Sequence, residues 1–286
     1  MSWTCPCDRR HSFNAMNCVW EVAAPDVDPA YGAQAAQAAF TEVARLEGEL
    51  SRFLDTSDVG QINAATAGIL IPVSVDVIEC LALSARVWQA SGGSFDITAP
   101  VSDADARGFD RFEIDYRERV VSKRCDGTRI DFGGVGKGYA LDQVVSILRE
   151  WSVGAAVAHC GQSTVVAFGD VGPSYSVALR HPSREDVTLT DVRLKNGALA
   201  GSAMTRKGAH ILDPRTGEPA QAALAAWALA PSAALADALS TTCMLLAPDE
   251  IAAMLGEEAA LRAFVLCEED GPLLEIADGK VVEQRR

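Results

Sequence analysis

The chain has 286 residues, of which 49% are hydrophobic, and it carries a formal net charge of −14 at pH 7. This length is sufficient for a large buried core, and it predicts one large domain or two small ones. The acidic balance and the lack of any Lys/Arg-rich run exclude a nucleic-acid binder, which needs a basic face against phosphates. No segment approaches the roughly 18 uninterrupted apolar residues that a membrane-spanning helix needs.

The N-terminal sequence MSWTCPCDRRHSF has no apolar run after its charged residues, so it does not resemble a secretory signal. We therefore expect a cytoplasmic protein. The eight cysteines mostly lie inside apolar segments, which favours buried free thiols over a disulfide framework. We expect residues 1–12 to form a tail and residues 13–286 to form a single domain.

In the first half of the chain, the clearest local features are the start signals of two helices. Asp28-Pro29 predicts a helix start, because proline is favoured at the first helical position, and apolar residues then recur at helical spacing to about Ser51. Ser74 is a candidate N-cap for a second helix, which Gly92-Gly93 would end. The other predicted elements here are a strand over residues 13–24, a polar loop over 55–63, and strands within 110–132 that turn at Asp126-Gly127.

In the second half, a helix is predicted after the glycine-rich loop Gly133 to Gly138, and another from Pro231-Ser232 to about Leu246. Strands are predicted at 153–168, 175–180, 187–194 and 222–230, and in a C-terminal hairpin that turns at Asp270-Gly271. Helices and strands mix without a strict βαβ repeat. The sequence therefore predicts an α+β, or mixed α/β, fold.

The segment RIDFGGVGKGYALDQVV, residues 129–145, joins a predicted strand to a helix through four glycines and a lysine. Glycines let a backbone approach a ligand closely, and the free N–H groups of a helix N-terminus suit phosphate. Lys137 adds a point charge for a diphosphate. The spacing differs from that of a Walker A loop. The same pattern is also typical of a tight strand-to-helix turn with an exposed lysine.

Asp237 and Thr241 lie four residues apart in PSAALADALSTTCMLL, residues 231–246, and hence on one face of the predicted helix. A carboxylate in such a small, apolar helix is costly unless it is paired or bound to a metal. Carboxylate and hydroxyl oxygens are hard ligands that suit Mg²⁺. The alternative is that Asp237 caps or hydrogen-bonds a neighbouring loop.

A further candidate is His210, in the turn-rich segment AHILDPRTGEP, residues 209–219. Histidine is a natural base near neutral pH. The residues around it are turn formers. An incidental histidine on a surface turn would have the same sequence.

Two aromatic residues lie beside charged side chains in short motifs. In GGSFDITAP, residues 92–100, Phe95 precedes Asp96, a pair that suits a flavin or adenine. Phe95 suits a position in the core equally. In LSRFLDTSDVGQIN, Arg52 and Phe53 stand at the predicted end of the first helix, where they suit either a site or a plain helix terminus.

Taken in order, these segments resemble the ApbE family of FAD:protein FMN transferases. The similar segments are SRFLDTSDVGQIN, GGSFDITAP, RIDFGGVGKGYALD, GAHILDPRTGEP and APSAALADALSTT. The resemblance covers roughly residues 13–250 and implies an ApbE-like fold with sheets flanked by helices. It implies Mg²⁺-dependent transfer of the FMN part of FAD to a Thr or Ser hydroxyl of an acceptor protein, with release of AMP. FAD is thus the implied substrate and Mg²⁺ the implied cofactor.

The resemblance also implies roles for individual residues. It implies a magnesium site formed by the backbone carbonyl of Gly134 with Asp237 and Thr241. It implies that His210 assists the acceptor hydroxyl. The residues implied to contact FAD are Met16, Phe53, Ser94, Phe95, Asp96, Lys137 and Ile211.

The chain departs from the family pattern in three motifs, and its segment between residues 100 and 129 is short. The family's Met-Gly-Thr is Met16-Asn17-Cys18 here, its Gly-Gly-Asp is Gly161-Gln162-Ser163, and the Ser-Gly before the histidine loop is Gly201-Ser202. The implied metal and diphosphate positions are intact. Two other functions stay open: an FAD pyrophosphatase, in which water replaces the acceptor hydroxyl, and a flavin-binding carrier without turnover.

Overall fold

The structure, a computed structural model, describes residues 2–3, 10–169, 176–184, 186–204 and 211–284. The helices are α1 (Pro29–Leu50), α2 (Asp58–Ala64), α3 (Val75–Ala90), α4 (Gly136–Glu150), α5 (Ala233–Thr242) and α6 (Pro248–Leu255), with a 3-10 turn at Phe109–Arg111. The strands are β1 (Ser2–Trp3), β2 (Arg10–Ala15), β3 (Cys18–Ala23), β4 (Ile71–Pro72), β5 (Phe112–Asp115), β6 (Val120–Lys123), β7 (Ala156–Cys160), β8 (Thr164–Phe168), β9 (Ser176–Arg180), β10 (Thr188–Arg193), β11 (Gly197–Ala203), β12 (Ala225–Ala230), β13 (Arg262–Leu266), β14 (Leu273–Ala277) and β15 (Lys280–Glu283). Among the described residues, no helix combines the length and the apolar character that crossing a membrane requires.

One large antiparallel sheet forms the centre of the fold. Within the described residues, nine strands build it in the order β15-β14-β13-β12-β11-β8-β7-β3-β2. Each neighbouring pair in it is antiparallel. Two smaller sheets have the orders β1-β9-β10 and β4-β6-β5. Helices beside antiparallel sheets confirm the predicted α+β fold.

The large sheet is covered on both faces. On β8, Val166 and Phe168 point to one face and pack in a core with α1, α3, α4 and α5; we call this the helix face. Val165 and Ala167 point to the other face and pack in a second core with β9 and β10. As a result every residue of β7 and β8 is buried. This explains why both strands, apart from His159 and Thr164, carry apolar residues on both faces instead of alternating.

The two helix starts predicted from the sequence are confirmed. Asp28 caps α1 through hydrogen bonds of 2.9 and 3.3 Å from two backbone N–H groups of the first turn. The same helix has Ser51 as its C-cap. Ser74 caps α3 through a 3.3 Å hydrogen bond from Val77 N. Local side-chain chemistry therefore determines these helix ends.

The prediction of one strand over residues 13–24 is wrong, because this segment folds into the hairpin β2–β3. Met16 and Asn17 form its two-residue turn with φ of 49° and 57°. Tight turns between twisted antiparallel strands require such left-handed values, and asparagine tolerates them better than most residues. Strand β2 begins at Arg10, inside the predicted tail of residues 1–12, and β1 pairs with β9.

Two other predictions in the first half of the chain are wrong. The polar loop predicted over residues 55–63 contains helix α2, which Ser57 caps through a 2.8 Å hydrogen bond from Gly60 N. A helix of seven residues is too short to show an apolar period clearly. The β5–β6 hairpin turns at residues 116–119 and not at Asp126-Gly127.

In the second half, the strands predicted at 175–180, 187–194 and 222–230 correspond to β9, β10 and β12. Helix α5 ends at Thr242, short of the predicted Leu246. Strand β11 has no predicted counterpart, because its sequence GALAGSA shows no alternation of apolar and polar residues.

Helices α4 and α5 meet at a contact that has room for glycine but not for a larger residue. A Cβ atom at Gly138 would lie 2.3 Å from the carbonyl oxygen of Ala233. Asp142, one turn further along α4, accepts hydrogen bonds from the backbone N–H groups of Ala233 and Ala234 at 2.7 and 2.9 Å. N–H groups at a helix start have no partner within their own helix, so α4 both packs against α5 and caps it.

Asp142 should make a pH-dependent contribution to stability. Burial raises the pKa of Asp142 to about 6, although the hydrogen bonds from Ala234 and Ala233 oppose the shift. A carboxyl group whose pKa is higher in the folded state favours folding most at low pH, and this contribution is lost as the pH rises from about 4 to about 6. We therefore expect the free energy of unfolding of the wild type, relative to Asp142→Asn, to fall by about 1–3 kcal/mol over that range.

The measurement is urea unfolding of both proteins between about pH 4 and about pH 7. Asp191→Asn, at an exposed position of β10, is the matched control and should follow the wild type at every pH. A wild type that gains stability relative to Asp142→Asn as the pH rises would contradict the raised pKa.

Candidate active site

The glycine-rich loop is held in place by Asn63 of α2. The Asn63 side chain accepts a hydrogen bond from Ile130 N at 2.7 Å and donates one to Ile130 O at 3.0 Å. Its backbone carbonyl accepts a hydrogen bond from the buried Lys123 at 3.2 Å. These contacts fix the chain directly before Asp131, from which the loop leads into α4 at Gly136.

The structure brings Gly134, Asp237 and Thr241 together where the loop meets α5. A Cβ atom added to Gly134 would lie 3.3 Å from Thr241 Oγ1. Thr241 Oγ1 donates to the backbone carbonyl of Asp237 at 3.3 Å, as their four-residue spacing on a helix allows. Asp237 Oδ2 accepts a hydrogen bond from Gly138 N at 3.2 Å. The three residues implied as magnesium ligands therefore lie at one place, between the start of α4 and the last turns of α5.

Asp237 is 4% exposed and interacts with the positive charge of Lys137. Burial raises the pKa of the Asp237 carboxyl, and the Lys137 ammonium opposes this shift. The Gly138 N–H group and the Thr164 hydroxyl oppose it further. The negative charge of Asp237 in turn raises the pKa of Lys137, whose Nζ donates to Gly133 O at 3.1 Å. A carboxylate in these surroundings would be stabilised by a further positive charge, such as a bound cation.

The donor atoms at this place fit a hard divalent cation. The Asp237 carboxylate, the Thr241 hydroxyl and the Gly134 carbonyl are oxygen ligands, which Mg²⁺ prefers. Thr164 Oγ1 is buried near the Asp237 carboxyl and makes no regular hydrogen bond to any described residue, so the site contains one more oxygen whose bonding capacity is not fully used. The described residues contain no group of three or more His, Cys, Asp or Glu side chains that could hold a metal. A cation here would therefore need further oxygens from a ligand.

A cavity of about 210 Å³ opens beside the glycine-rich loop. Its walls include Met16, Phe53 and Lys137, three residues implied to contact FAD. The backbone N–H of Met16 donates to Glu47 Oε1 at 2.9 Å, which fixes the hairpin turn against α1. The Phe53 ring is 71% exposed, and the guanidinium carbon of Arg52 lies 4.5 Å from its centre. An exposed aromatic ring beside a cavity gives a flat ligand a stacking surface.

Ser94 and Phe95 lie next to the loop but do not line this cavity. Phe95 is buried, and its Cε2 atom would lie 3.2 Å from a Cβ atom at Gly134. Ser94 is also buried, and its Oγ atom has no hydrogen-bond partner among the described residues. Phe95 thus packs against the glycine-rich loop at Gly134. The contacts of Ser94 and Phe95 with a flavin stay predictions.

The Asp96 carboxylate is occupied by its own loop. It accepts hydrogen bonds from Thr98 N, Thr98 Oγ1 and Phe109 N at 2.8, 2.7 and 2.8 Å. Burial raises the pKa of Asp96, and the hydrogen bonds from Thr98 oppose that shift. Asp96 also lines a second cavity of about 310 Å³, together with Arg107. Its observed contacts shape the loop, and its contact with a flavin stays a prediction.

His210 lies outside the described residues, in the segment 205–210. The structure describes the chain again from Ile211, which is buried and whose carbonyl accepts a hydrogen bond from Ala220 N at 2.8 Å. The role of His210 toward the acceptor hydroxyl and the contact of Ile211 with FAD therefore stay predictions.

Three polar residues at this place were not among the candidates from the sequence: Asn63, Asp142 and Thr164. Asn63 and Asp142 end the segments SRFLDTSDVGQIN and RIDFGGVGKGYALD, so their places in recognised segments were available signals. Thr164 has no such signal, because threonine is an ordinary residue in a strand such as TVVAF.

Asn63→Ala is expected to lower the free energy of unfolding by about 2 kcal/mol, because two partly buried backbone groups of Ile130 lose their partner. Asn63→Asp keeps an acceptor for Ile130 N but has no donor for Ile130 O, so we expect a loss of similar size. Urea unfolding measures both variants. Asn14→Ala, at an exposed position of β2, is the control and should change stability by less than about 0.5 kcal/mol. An Asn63→Ala protein as stable as the wild type would show that this side chain does not hold the loop.

The chain is similar to two proteins named FAD:protein FMN transferase. The protein from Klebsiella pneumoniae (strain 342) is 23% identical over 295 residues, which cover 90% of this chain and 83% of that protein. The protein from Haemophilus influenzae is 24% identical over 261 residues, which cover 78% of this chain and 73% of that protein.

Solved structures show the same architecture. The flavin transferase ApbE from Vibrio cholerae superposes with a TM-score of 0.80 at 17% identity, over 94% of this chain and 96% of that chain. The apo form of the Pseudomonas stutzeri flavinyl transferase ApbE superposes with a TM-score of 0.79 at 22% identity, over 94% of each chain. At these identities the likeness shows the fold. The profile of the ApbE family matches residues 16–265, which is most of the chain, and the protein belongs to this family.

Proposed function

We propose that this protein is an Mg²⁺-dependent FAD:protein FMN transferase. In this reaction a Thr or Ser hydroxyl of an acceptor protein forms a bond to the FMN-side phosphorus of FAD. The bond from that phosphorus to the bridging oxygen breaks, and AMP leaves with this oxygen. The observation that carries the proposal is the meeting of Gly134, Asp237 and Thr241 beside the N-terminus of α4. The names of the Klebsiella pneumoniae and Haemophilus influenzae relatives support the same activity.

Gly134, Asp237 and Thr241 are the residues that would hold the cation. When bound, Mg²⁺ would neutralise the charge that grows on the phosphoryl oxygens. A site with a single carboxylate suits this chemistry, because Mg²⁺ at phosphate substrates is commonly held by one or two carboxylates together with substrate oxygens. Asp237 would therefore bind the diphosphate indirectly, through the cation that they share.

The start of α4 is suited to bind the diphosphate directly. The N-cap residue of α4, Val135, makes no side-chain cap hydrogen bond, and Asp237 binds the N–H group of Gly138 in the first turn. The positive end of the helix would also attract an anion. Lys137 lies in the first turn, and its hydrogen bond to Gly133 O holds the ammonium beside the loop. Both groups would stabilise the negative charge that develops as AMP departs.

The cavity beside the loop is the proposed place of the isoalloxazine ring. Its walls include the exposed Phe53 ring and Met16, and Lys137 lies at the same cavity. This cavity would offer the ring a flat apolar surface next to the start of α4, the proposed binding site of the diphosphate. His210 is the proposed base, which would accept the proton of the acceptor hydroxyl and contribute about 10²–10⁴-fold.

The direct test uses purified protein, FAD, and an acceptor domain that carries a modifiable threonine. With Mg²⁺, the wild type should add the mass of FMN to the acceptor and release an equimolar amount of AMP. Asp237→Asn should lower the rate at least about 100-fold, because the cation loses its charged ligand. Asp191→Asn, at an exposed position of β10, should keep the wild-type rate. Mass spectrometry of the acceptor and chromatography of AMP provide the two readouts.

Three other outcomes would contradict the proposed transferase activity, and each would point to a different conclusion. AMP and free FMN without a modified acceptor, across several acceptor domains, would identify an FAD pyrophosphatase. FAD that stays bound and intact would identify a carrier. A wild type that does not bind FAD would overturn the flavin proposal as a whole.

Lys137→Met is expected to lower kcat/KM for FAD by about 10–100-fold, because a charge-assisted contact to the diphosphate is lost. Lys137→Arg keeps the charge and should retain part of the activity. Lys195→Met, at an exposed position before β11, is the matched control and should behave as the wild type. The kinetics of AMP release at saturating Mg²⁺ measure the effect. An unchanged kcat/KM in Lys137→Met would remove this lysine from the diphosphate site.

A further inference from the structure

Thr164 lies at the centre of the large sheet, below α5. It is the first residue of β8, and its Cα is paired with that of Cys160 on β7 and with that of Ala200 on β11. Its side chain points to the helix face, because Val166 and Phe168, at the alternate positions of the same strand, pack in that core. Helix α5 packs on β8 from this side. Thr164 therefore faces the helix that carries the candidate cation ligands.

The hydroxyl of Thr164 lies near the Asp237 carboxyl, whose pKa it lowers, but it makes no regular hydrogen bond to any described residue. The residue is 1% exposed. Burying a hydroxyl without a partner is unfavourable, whereas valine has nearly the same shape and no such cost. The next two residues of β8 are valines. Packing alone therefore gives no reason for a hydroxyl at this position.

A neighbouring hydroxyl shows the contrast. Ser202 lies on the adjacent strand β11, on the same face, and its Oγ atom is 2.9 Å from Ser240 Oγ and 3.4 Å from Thr241 Oγ1. Ser202 is thus satisfied by α5 itself. Thr164 instead lies beside the Asp237 carboxylate, one oxygen of which accepts the hydrogen bond from Gly138 N. The unpaired hydroxyl and the candidate cation ligand are neighbours.

We infer that Thr164 is a positioning residue for the cation: its hydroxyl donates a hydrogen bond to the Asp237 carboxylate when a divalent cation is bound. This inference rests on the cation site of the proposed function. Carboxylates that bind a metal are usually held by a further hydrogen bond, which fixes the oxygen that faces the metal. Gly138 N holds Asp237 from the side of α4, and Thr164 would hold it from the side of the sheet.

The inference predicts opposite effects on cation affinity and on stability without a cation. Thr164→Val removes the donor and keeps the shape, so we expect Mn²⁺, used as a spectroscopic substitute for Mg²⁺, to bind about 10-fold to 100-fold more weakly. Without a cation, the same variant should unfold at the wild-type temperature or above it, because it no longer buries an unpaired hydroxyl. Thr164→Ser keeps the donor and should bind Mn²⁺ within about threefold of the wild type.

The experiment measures free Mn²⁺ by electron paramagnetic resonance in titrations of the full chain with FAD present, and thermal unfolding without added cation. Thr190→Val, on β10 and away from α5, is the matched control and should leave Mn²⁺ binding unchanged. Wild-type Mn²⁺ affinity in Thr164→Val would overturn the inference. A marked fall in the unfolding temperature of Thr164→Val without cation would also overturn it, because the hydroxyl would then have a structural role.

The two proposals fail in distinguishable ways. If the wild type binds no Mn²⁺ in the presence of FAD, the proposed cation site is wrong and the role of Thr164 is wrong with it. If the wild type binds Mn²⁺, and Asp237→Asn weakens binding while Thr164→Val does not, the proposed function stands and this inference alone fails.

Discussion

The close contact between α4 and α5 is the constraint on which the candidate site depends. Gly138 allows the two helices to approach so closely that a Cβ atom there would overlap with the carbonyl of Ala233. Asp142 then binds the free N–H groups at the start of α5. With these two contacts made, Thr241 lies against Gly134, and Asp237 is buried against Gly138. A larger residue at Gly138 would separate the carboxylate from the loop, whatever residues remained in each motif.

The same contact explains the electrostatics of the site. It buries Asp237 beside Lys137 and the first turn of α4, so that a carboxylate, a lysine and the positive end of a helix lie close together. Burial disfavours the charge on Asp237, and the neighbouring positive groups favour it. The site is therefore suited to bind a cation together with an anionic ligand, since each compensates charge that the other brings. Its single carboxylate makes a substrate diphosphate the natural source of the remaining oxygen ligands.

Two of the three motif departures from the family pattern have a local physical reason. Asn17, where the family has glycine, occupies a left-handed turn position with φ of 57°, which asparagine tolerates. Gly201 lies opposite Trp227 on β12, and a Cβ atom there would lie 2.4 Å from Trp227 Cδ1. The adjacent Ser202 keeps a hydroxyl at the face of α5. Both departures thus keep the backbone in place around the site. We have no structural account of Gln162.

Local chemistry in the sequence was sufficient to predict the caps of α1 and α3 and the α+β class, and the resemblance of its motifs to a known family predicted the residues that meet near Gly134. These features depend on side chains within a few residues of each other, or on motifs whose order survives low identity. Tertiary structure alone decided that residues 13–24 form a hairpin, that Asp96 binds its own loop and that Thr164 faces Asp237. Thr164 and Asp237 belong to a strand and a helix that are far apart in the chain. Their proximity follows from the pairing of strands and the packing of α5 on the sheet, and no local pattern of residues encodes it.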